Sequence, residues 1–210
     1  MKVLAEIPAG SSPDLRAGTL RRGDLEAFGG LLEKLDGARS VLVTGDAPGR
    51  RQAAAGLAAA AAAAGTRTAL LECDLCEPGL AEALGLATAP GLHEYLRGSA
   101  QAEAILKPVV LAGPGSAAAT EPLVCVVAGR SATDAAALLG SERFRHVASS
   151  LRSTYELLVI DGPPPAREPE LLAAMAAADA TLVWVDSDGV APRLPAPVAG
   201  LVVAGEAQRS

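Results

Sequence analysis

Residues 44–54 read TGDAPGRRQAA. They follow a continuous apolar run, SVLVT, and precede an alanine-rich stretch. Strand, tight turn and helix in that order make the setting in which loop N–H groups and a helix N-terminus hold phosphate. A phosphate loop of this kind closes on Gly-Lys-Ser/Thr. Here the chain instead runs Pro48-Gly49-Arg50-Arg51-Gln52-Ala53. Two further stretches place carboxylates at apolar strand ends: LLECDLCEP, with Glu72 and Asp74, and LLVIDGPPP, with Asp161. A phosphate cradle beside tip carboxylates is the arrangement of a Mg-nucleotide site, where Glu72, Asp74 and Asp161 hold the metal or orient the attacking group.

The elements that must position these residues follow from hydrophobic periodicity. Strands are expected at 40–44, 67–73, 108–113, 123–129, 156–161, 181–186 and 199–203. Helices are expected at 24–36 (spaced by Leu25, Phe28, Leu32 and Leu35, with Asp24 as cap), 49–64, 133–139, 141–153 and 168–178, with two short helical pieces within 78–98. Alanine is the strongest helix former, so the 53–64 run reads as a packing helix. Residues 114–122 read as a surface loop. Residues 188–198 contain three prolines, so an extended link joins the last two strands. The strands are continuously apolar and alternate with helices. The expected fold is a doubly wound α/β domain with a mainly parallel sheet flanked by helices. Residues 1–23 read as a lead-in, 24–205 as one domain and 206–210 as a tail.

Composition narrows the function. The chain has 210 residues, half of them apolar, with 2% aromatic and a net charge of −6. That charge offers no electrostatic basis for nucleic-acid binding. The apolar runs are shorter than the roughly 20 residues of a membrane span, so no direct membrane insertion is expected. Met1-Lys2-Val3-Leu4 runs at once into Glu6 and Pro8, unlike a secretory leader. Three cysteines are too few for a disulfide scaffold. Cytoplasm is the expected location. The single C-x-x-C pair, Cys73 and Cys76, is a weak zinc or redox signal. Cys73 and Trp184 are expected in the core, and His93 and His146 in packing or at the surface.

The ordered set of motifs resembles the cytoplasmic domain of bacterial tyrosine kinases (BY-kinases) of capsule and exopolysaccharide systems, relatives of the MinD/ParA-like P-loop ATPases. VLAEIP (3–8) resembles the family's entry segment and EAFGGLLEKL (26–35) its Glu-Ala-Phe-Arg helix. VTGDAPG (43–49) resembles the start of Walker A. ALLECDLCEPGLAEALGL (69–86) resembles the second acidic motif, and GLHEYLRG (91–98) the turn after it. VVAGRSATDAAALLGSERF (126–144) resembles a later family segment, and YELLVIDGPPP (155–165) Walker B. The resemblance implies a P-loop fold, ATP or ADP with Mg²⁺ on a loop of Gly45, Pro48, Gly49, Arg50, Arg51, Gln52 and Ala53, and catalysis by Asp74 and Asp161 if the chain is active.

The departures are specific. Arg51 falls where the family has its second glycine, Gln52 replaces the phosphate-binding lysine, and Ala53 and Ala54 replace Ser and Thr. A side chain at a positive-φ glycine costs roughly 1–2 kcal/mol, Gln52 carries no charge, and Ala53 cannot ligate Mg²⁺. Shifting the register by one puts Arg51 in the lysine's place, Arg50 in the glycine's and Gln52 in the hydroxyl's. Glu72 stands where Asp is usual. Ala204-Gly205 follow the last strand where the family reads adenine with Asn. Tyr95 and Tyr155 are the only tyrosines, so no tyrosine cluster is present. Gly29 and Leu32 replace the arginines of the Glu-x-x-Arg-x-x-Arg oligomerisation pattern.

The expectation is a degenerate, non-catalytic regulator in polysaccharide synthesis or export. Its partner would be a co-polymerase-type membrane protein or an intact kinase paralogue, at the inner face of the membrane, with a homo-oligomer still open. The rival expectation is an active tyrosine autokinase or ATPase using Arg51 for lysine. A MinD/ParA-like positioning role fits the fold, but no amphipathic membrane helix supports it. Arg50 and Arg51 are read as solvated arginines or as anion contacts, and the tip carboxylates as metal ligands or as structural partners of those arginines.

Overall fold

The computed structural model describes residues 2–8, 22–35, 37–111, 122–186, 188, 190–194 and 198–205. The expected loop at 114–122 falls almost wholly outside them, as do the expected tail at 206–210 and parts of the lead-in and of the 188–198 link.

Among the described residues eight strands form one sheet: β1 (Val3–Ile7), β2 (Ser40–Thr44), β3 (Thr68–Glu72), β4 (Lys107–Val109), β5 (Leu123–Val126), β6 (Leu157–Asp161), β7 (Ala180–Val185) and β8 (Gly200–Ala204). Their spatial order is β1-β8-β7-β2-β6-β3-β5-β4. Every pairing is parallel except β4 with β5. Among the described residues eight helices connect or flank the strands: α1 (Arg22–Glu33), α2 (Arg50–Ala63), α3 (Leu80–Leu84), α4 (Leu92–Leu96), α5 (Ala102–Ile105), α6 (Ala135–Leu139), α7 (Glu142–Thr154) and α8 (Glu168–Met175).

The sheet is covered on both faces, which is why its central strands β2, β3 and β6 are buried throughout. Successive side chains point to opposite layers. Val41, Val43 and Val159 join the layer of α1 and α2. Leu42, Leu158 and Ile160 join the layer of α4, α6, α7 and α8. The alanines of α2 let that helix lie close against the sheet. Residues 53–62 are all buried, as expected of a helix that is apolar all round. Phe28 of α1 lies over Gly56, where a Cβ would sit 2.4 Å from the ring.

Three differences from the sequence reading have local causes. Residues 3–7 pair in parallel with β8 and extend the sheet instead of forming a loose lead-in. α1 starts at Arg22, so Asp24 lies inside the helix and not at the position before it. β4 runs antiparallel, and the short α5 precedes it. A four-residue helix is too short to show a 3.6-residue period, and an edge strand of three residues carries little pattern.

The 188–198 link contains no regular secondary structure in its described residues. No helix among the described residues is long and apolar enough to cross a membrane.

Candidate functional site

β2, β6 and β3 are neighbours, so their carboxyl ends bring the loop, Asp161 and Glu72 together. Glu72 and Asp161 are directly paired in register, which puts two carboxylates side by side with no exposure to solvent. Asp74 lies two residues beyond Glu72 and is also buried. Three buried carboxylates at one point need cations, because each bears a desolvation cost of several kcal/mol that pairing must offset.

The cations come from the loop itself. α2 begins at Arg50, behind Gly49 in the left-handed region at φ 87°. This turn directs both arginines back over the strand ends. Arg50 Nη2 donates to Asp74 Oδ2 at 2.9 Å, and Arg50 Nε lies 3.3 Å from Asp161 Oδ1. Arg51 Nε lies 3.3 Å from Asp161 Oδ2 and 3.5 Å from Glu72 Oε1. Arg51 Nη2 donates to the Glu77 carbonyl at 2.8 Å. A third guanidinium enters from the loop after β6: Arg167 bridges Asp74 Oδ1 and Glu77 Oε1 at 2.5 and 2.6 Å. Four carboxylates (Glu72, Asp74, Glu77, Asp161) thus meet three guanidiniums. Positive side chains in the first turn of a helix oppose its dipole, and α2 has no acidic residue there. The strand-tip carboxylates supply the missing countercharge.

The carboxylates differ in role. Glu72 is saturated by backbone: Oε1 accepts from Gly79 N and Leu80 N at 2.7 and 2.8 Å, and Oε2 accepts from Ala128 N at 2.8 Å. Its extra methylene relative to Asp carries the carboxylate out to the start of α3 and to the segment after β5. Asp74 accepts from Glu77 N, Arg50 and Arg167. Asp161 accepts no hydrogen bond. The two Nε groups beside it are close enough for Coulomb attraction but lack hydrogen-bond alignment, so both of its oxygens and both Nε atoms stay unpaired. Burial pushes the Asp161 carboxyl up to about 6, with Arg50 opposing the rise and Glu72 adding to it.

The loop is fixed from the other side by Trp184. Its indole Nε1 donates to the Pro48 carbonyl at 2.9 Å. Gly45 packs so tightly on the Trp184 backbone that a Cβ would lie 2.1 Å from its carbonyl oxygen. Thr44 Oγ1 donates to the Pro163 carbonyl at 2.7 Å. A shallow polar recess of about 250 Å³ remains over the loop, lined by Gly45, Gly49, Arg50, Arg51, Asp74 and Glu77 among others. That is below the roughly 300–1,000 Å³ of small-molecule pockets. A larger recess of about 500 Å³ lies between α1 and α2, near the start of β6 and away from the strand tips.

The structure gathers Gly45, Pro48, Gly49, Arg50, Arg51, Glu72, Asp74 and Asp161 as the sequence suggested, and corrects what several of them do. Arg50 and Arg51 are not solvated: their side chains are 10% and 24% exposed and engaged with the carboxylates. Arg51 is turned onto Glu72 and Asp161 and does not stand free for a phosphate. Gln52, in the lysine's place, is exposed and makes no hydrogen bond to the cluster, while Ala53 is buried in the helix packing. In this arrangement the guanidiniums of Arg50, Arg51 and Arg167 lie among these carboxylates. Among the described residues no group of three or more His, Cys, Asp or Glu could hold a metal ion.

Cys73 is buried, and burial together with Asp161 holds its thiol well above the usual range, which disfavours the thiolate form. Sequence reasoning missed Arg167, Glu77 and the Trp184 contact. Arg167 carried one signal: it follows the triple proline that leaves the Asp161 strand, which confines it near the strand tips.

No family model matches the sequence, and no curated protein does. Solved structures do match in fold. The chimerical protein CapA2B2 superposes with a TM-score of 0.81 at 19% identity, over 99% of this chain and 96% of that one. The kinase domain of the Escherichia coli tyrosine kinase ETK gives 0.79 at 16% identity, over 100% and 92%. The fold is that of a bacterial tyrosine-kinase domain. A wider likeness reaches the septum site-determining protein MinD of Pyrococcus horikoshii, complexed with Mg-ADP. There the TM-score is 0.56 at 19% identity, over 70% of this chain and 57% of that one. The P-loop NTPase architecture expected from the sequence is therefore present.

Proposed function

We propose that this chain is a non-catalytic, BY-kinase-like partner protein of a bacterial polysaccharide synthesis or export system. One observation carries the reading: the guanidiniums of Arg50 and Arg51 lie among Glu72, Asp74 and Asp161, where a kinase would need metal and free carboxylates. A Mg-nucleotide would have to displace charges already paired in a buried setting, and breaking such a pair costs about 3–5 kcal/mol. No lysine lies in the loop, and the charge that replaces it is consumed internally. The fold then serves as an interaction module, with a co-polymerase-type membrane protein or an intact kinase paralogue as the partner.

The rival reading, an ATP-dependent tyrosine kinase or ATPase, draws on the likeness to ETK and on the recess over the loop. Calorimetric titration with ATP and ADP, with and without Mg²⁺, separates the two. The proposal expects no binding up to millimolar nucleotide. Magnesium-dependent micromolar binding would overturn it. Loss of turnover in Arg51→Ala and Asp161→Ala would then establish the rival.

A further inference from the structure

Resting on that reading, we infer that Arg51 is a built-in substitute for a bound cation. Its guanidinium clasps the loops after β3 and β6 into one fixed arrangement that needs neither metal nor nucleotide.

One side chain spans the pieces. Arg51 reaches Glu72 at the tip of β3, Asp161 at the tip of β6, and the Glu77 carbonyl in the loop between β3 and α3. Glu72 in turn holds the first amides of α3 and the amide of Ala128. Arg167 ties the same β3 loop to the start of α8 through Asp74 and Glu77.

Gly79 shows that the room for Arg51 is built. Its φ is −163° with ψ −6°, outside the left-handed region that demands glycine. A Cβ there would lie 2.5 Å from Arg51 Nη1 and 2.7 Å from its Cζ. The missing side chain at residue 79 is the space the guanidinium occupies.

Amide hydrogen exchange at Glu77, Gly79 and Leu80 reads the clasp directly, on the full chain without ligand, with Mg²⁺ alone and with Mg-ADP. The wild type is expected to show the same protection in all three. Arg51→Ala is expected to exchange roughly ten- to a hundredfold faster at these amides, with Leu42 and Val159 in the central strands unchanged. Millimolar guanidinium chloride restores protection to that variant and methylammonium does not. Gly79→Ala, with Arg51 intact, loosens the same amides.

Three results each overturn the inference: equal exchange in Arg51→Ala and wild type, no effect of guanidinium on the variant, or wild-type protection that appears only with Mg-ADP. Nucleotide binding in the calorimeter with an unchanged effect of Arg51→Ala would end the non-catalytic reading and leave the clasp standing.

Discussion

Asp161 and Glu72 share one register position and respond in opposite ways to substitution. The carboxyl of Asp161 is pushed up to about 6 by burial, so the folded state holds its proton where the unfolded chain has released it. With more protons bound in the folded state, stability falls as pH rises from about 4 through 6. Asp161→Asn removes that dependence. Urea midpoints are expected to show the variant gaining on the wild type from pH 4 to pH 7, by on the order of 2–3 kcal/mol. Glu72→Asp restores the residue usual in the family the sequence resembles, yet a shorter side chain cannot span Gly79, Leu80 and Ala128 together. A loss of about 2 kcal/mol is expected from the orphaned amides, read from the same urea curves.

The acidic residues at the strand tips were legible in the sequence, because an apolar run ending in Asp or Glu has few other readings. Their partners were not. Whether Arg51 faces solvent, phosphate or carboxylate depends on the angle at which α2 leaves Gly49, and no local pattern encodes that angle. Arg167 is 93 residues from Asp74 and meets it only through strand order.

At the scale of elements, the α1–α2 contact turns on glycine. Gly56 gives way to Phe28, whereas Gly29 and Gly30 have open space where a Cβ would go. Gly56→Ala is expected to cost about 1–3 kcal/mol through overpacking. Gly30→Ala is expected to add about 0.5–1 kcal/mol through helix propensity. Thermal unfolding of the two variants side by side checks both signs. Strong, continuous apolar runs made β2, β3, β6 and β7 readable almost to the residue. β1 escaped because VLAEI mixes exposed and half-buried positions amid proline and glycine, and its pairing lies with a strand at the other end of the chain.

For the whole molecule, the sheet places the ion cluster at the carboxyl ends of β2, β6 and β3 and leaves β1 as one outer edge. β1 covers β8, whose Leu201 and Val202 are buried. Removing residues 1–8 would uncover a parallel strand with unpaired backbone groups, a template for edge-to-edge association. Size-exclusion chromatography of that truncation is expected to show larger species than the intact chain at the same concentration.

Trp184 is the chain's single tryptophan. Its indole N–H rests on the Pro48 carbonyl, and its ring is 3.7 Å from where a Cβ of Gly49 would be. The protein therefore carries its own fluorophore at the phosphate-loop position. Emission on excitation of that one residue reports the loop's contact with β7. A red shift marks the loop lifting away, and a silent spectrum through a ligand titration marks it staying down, with no label attached.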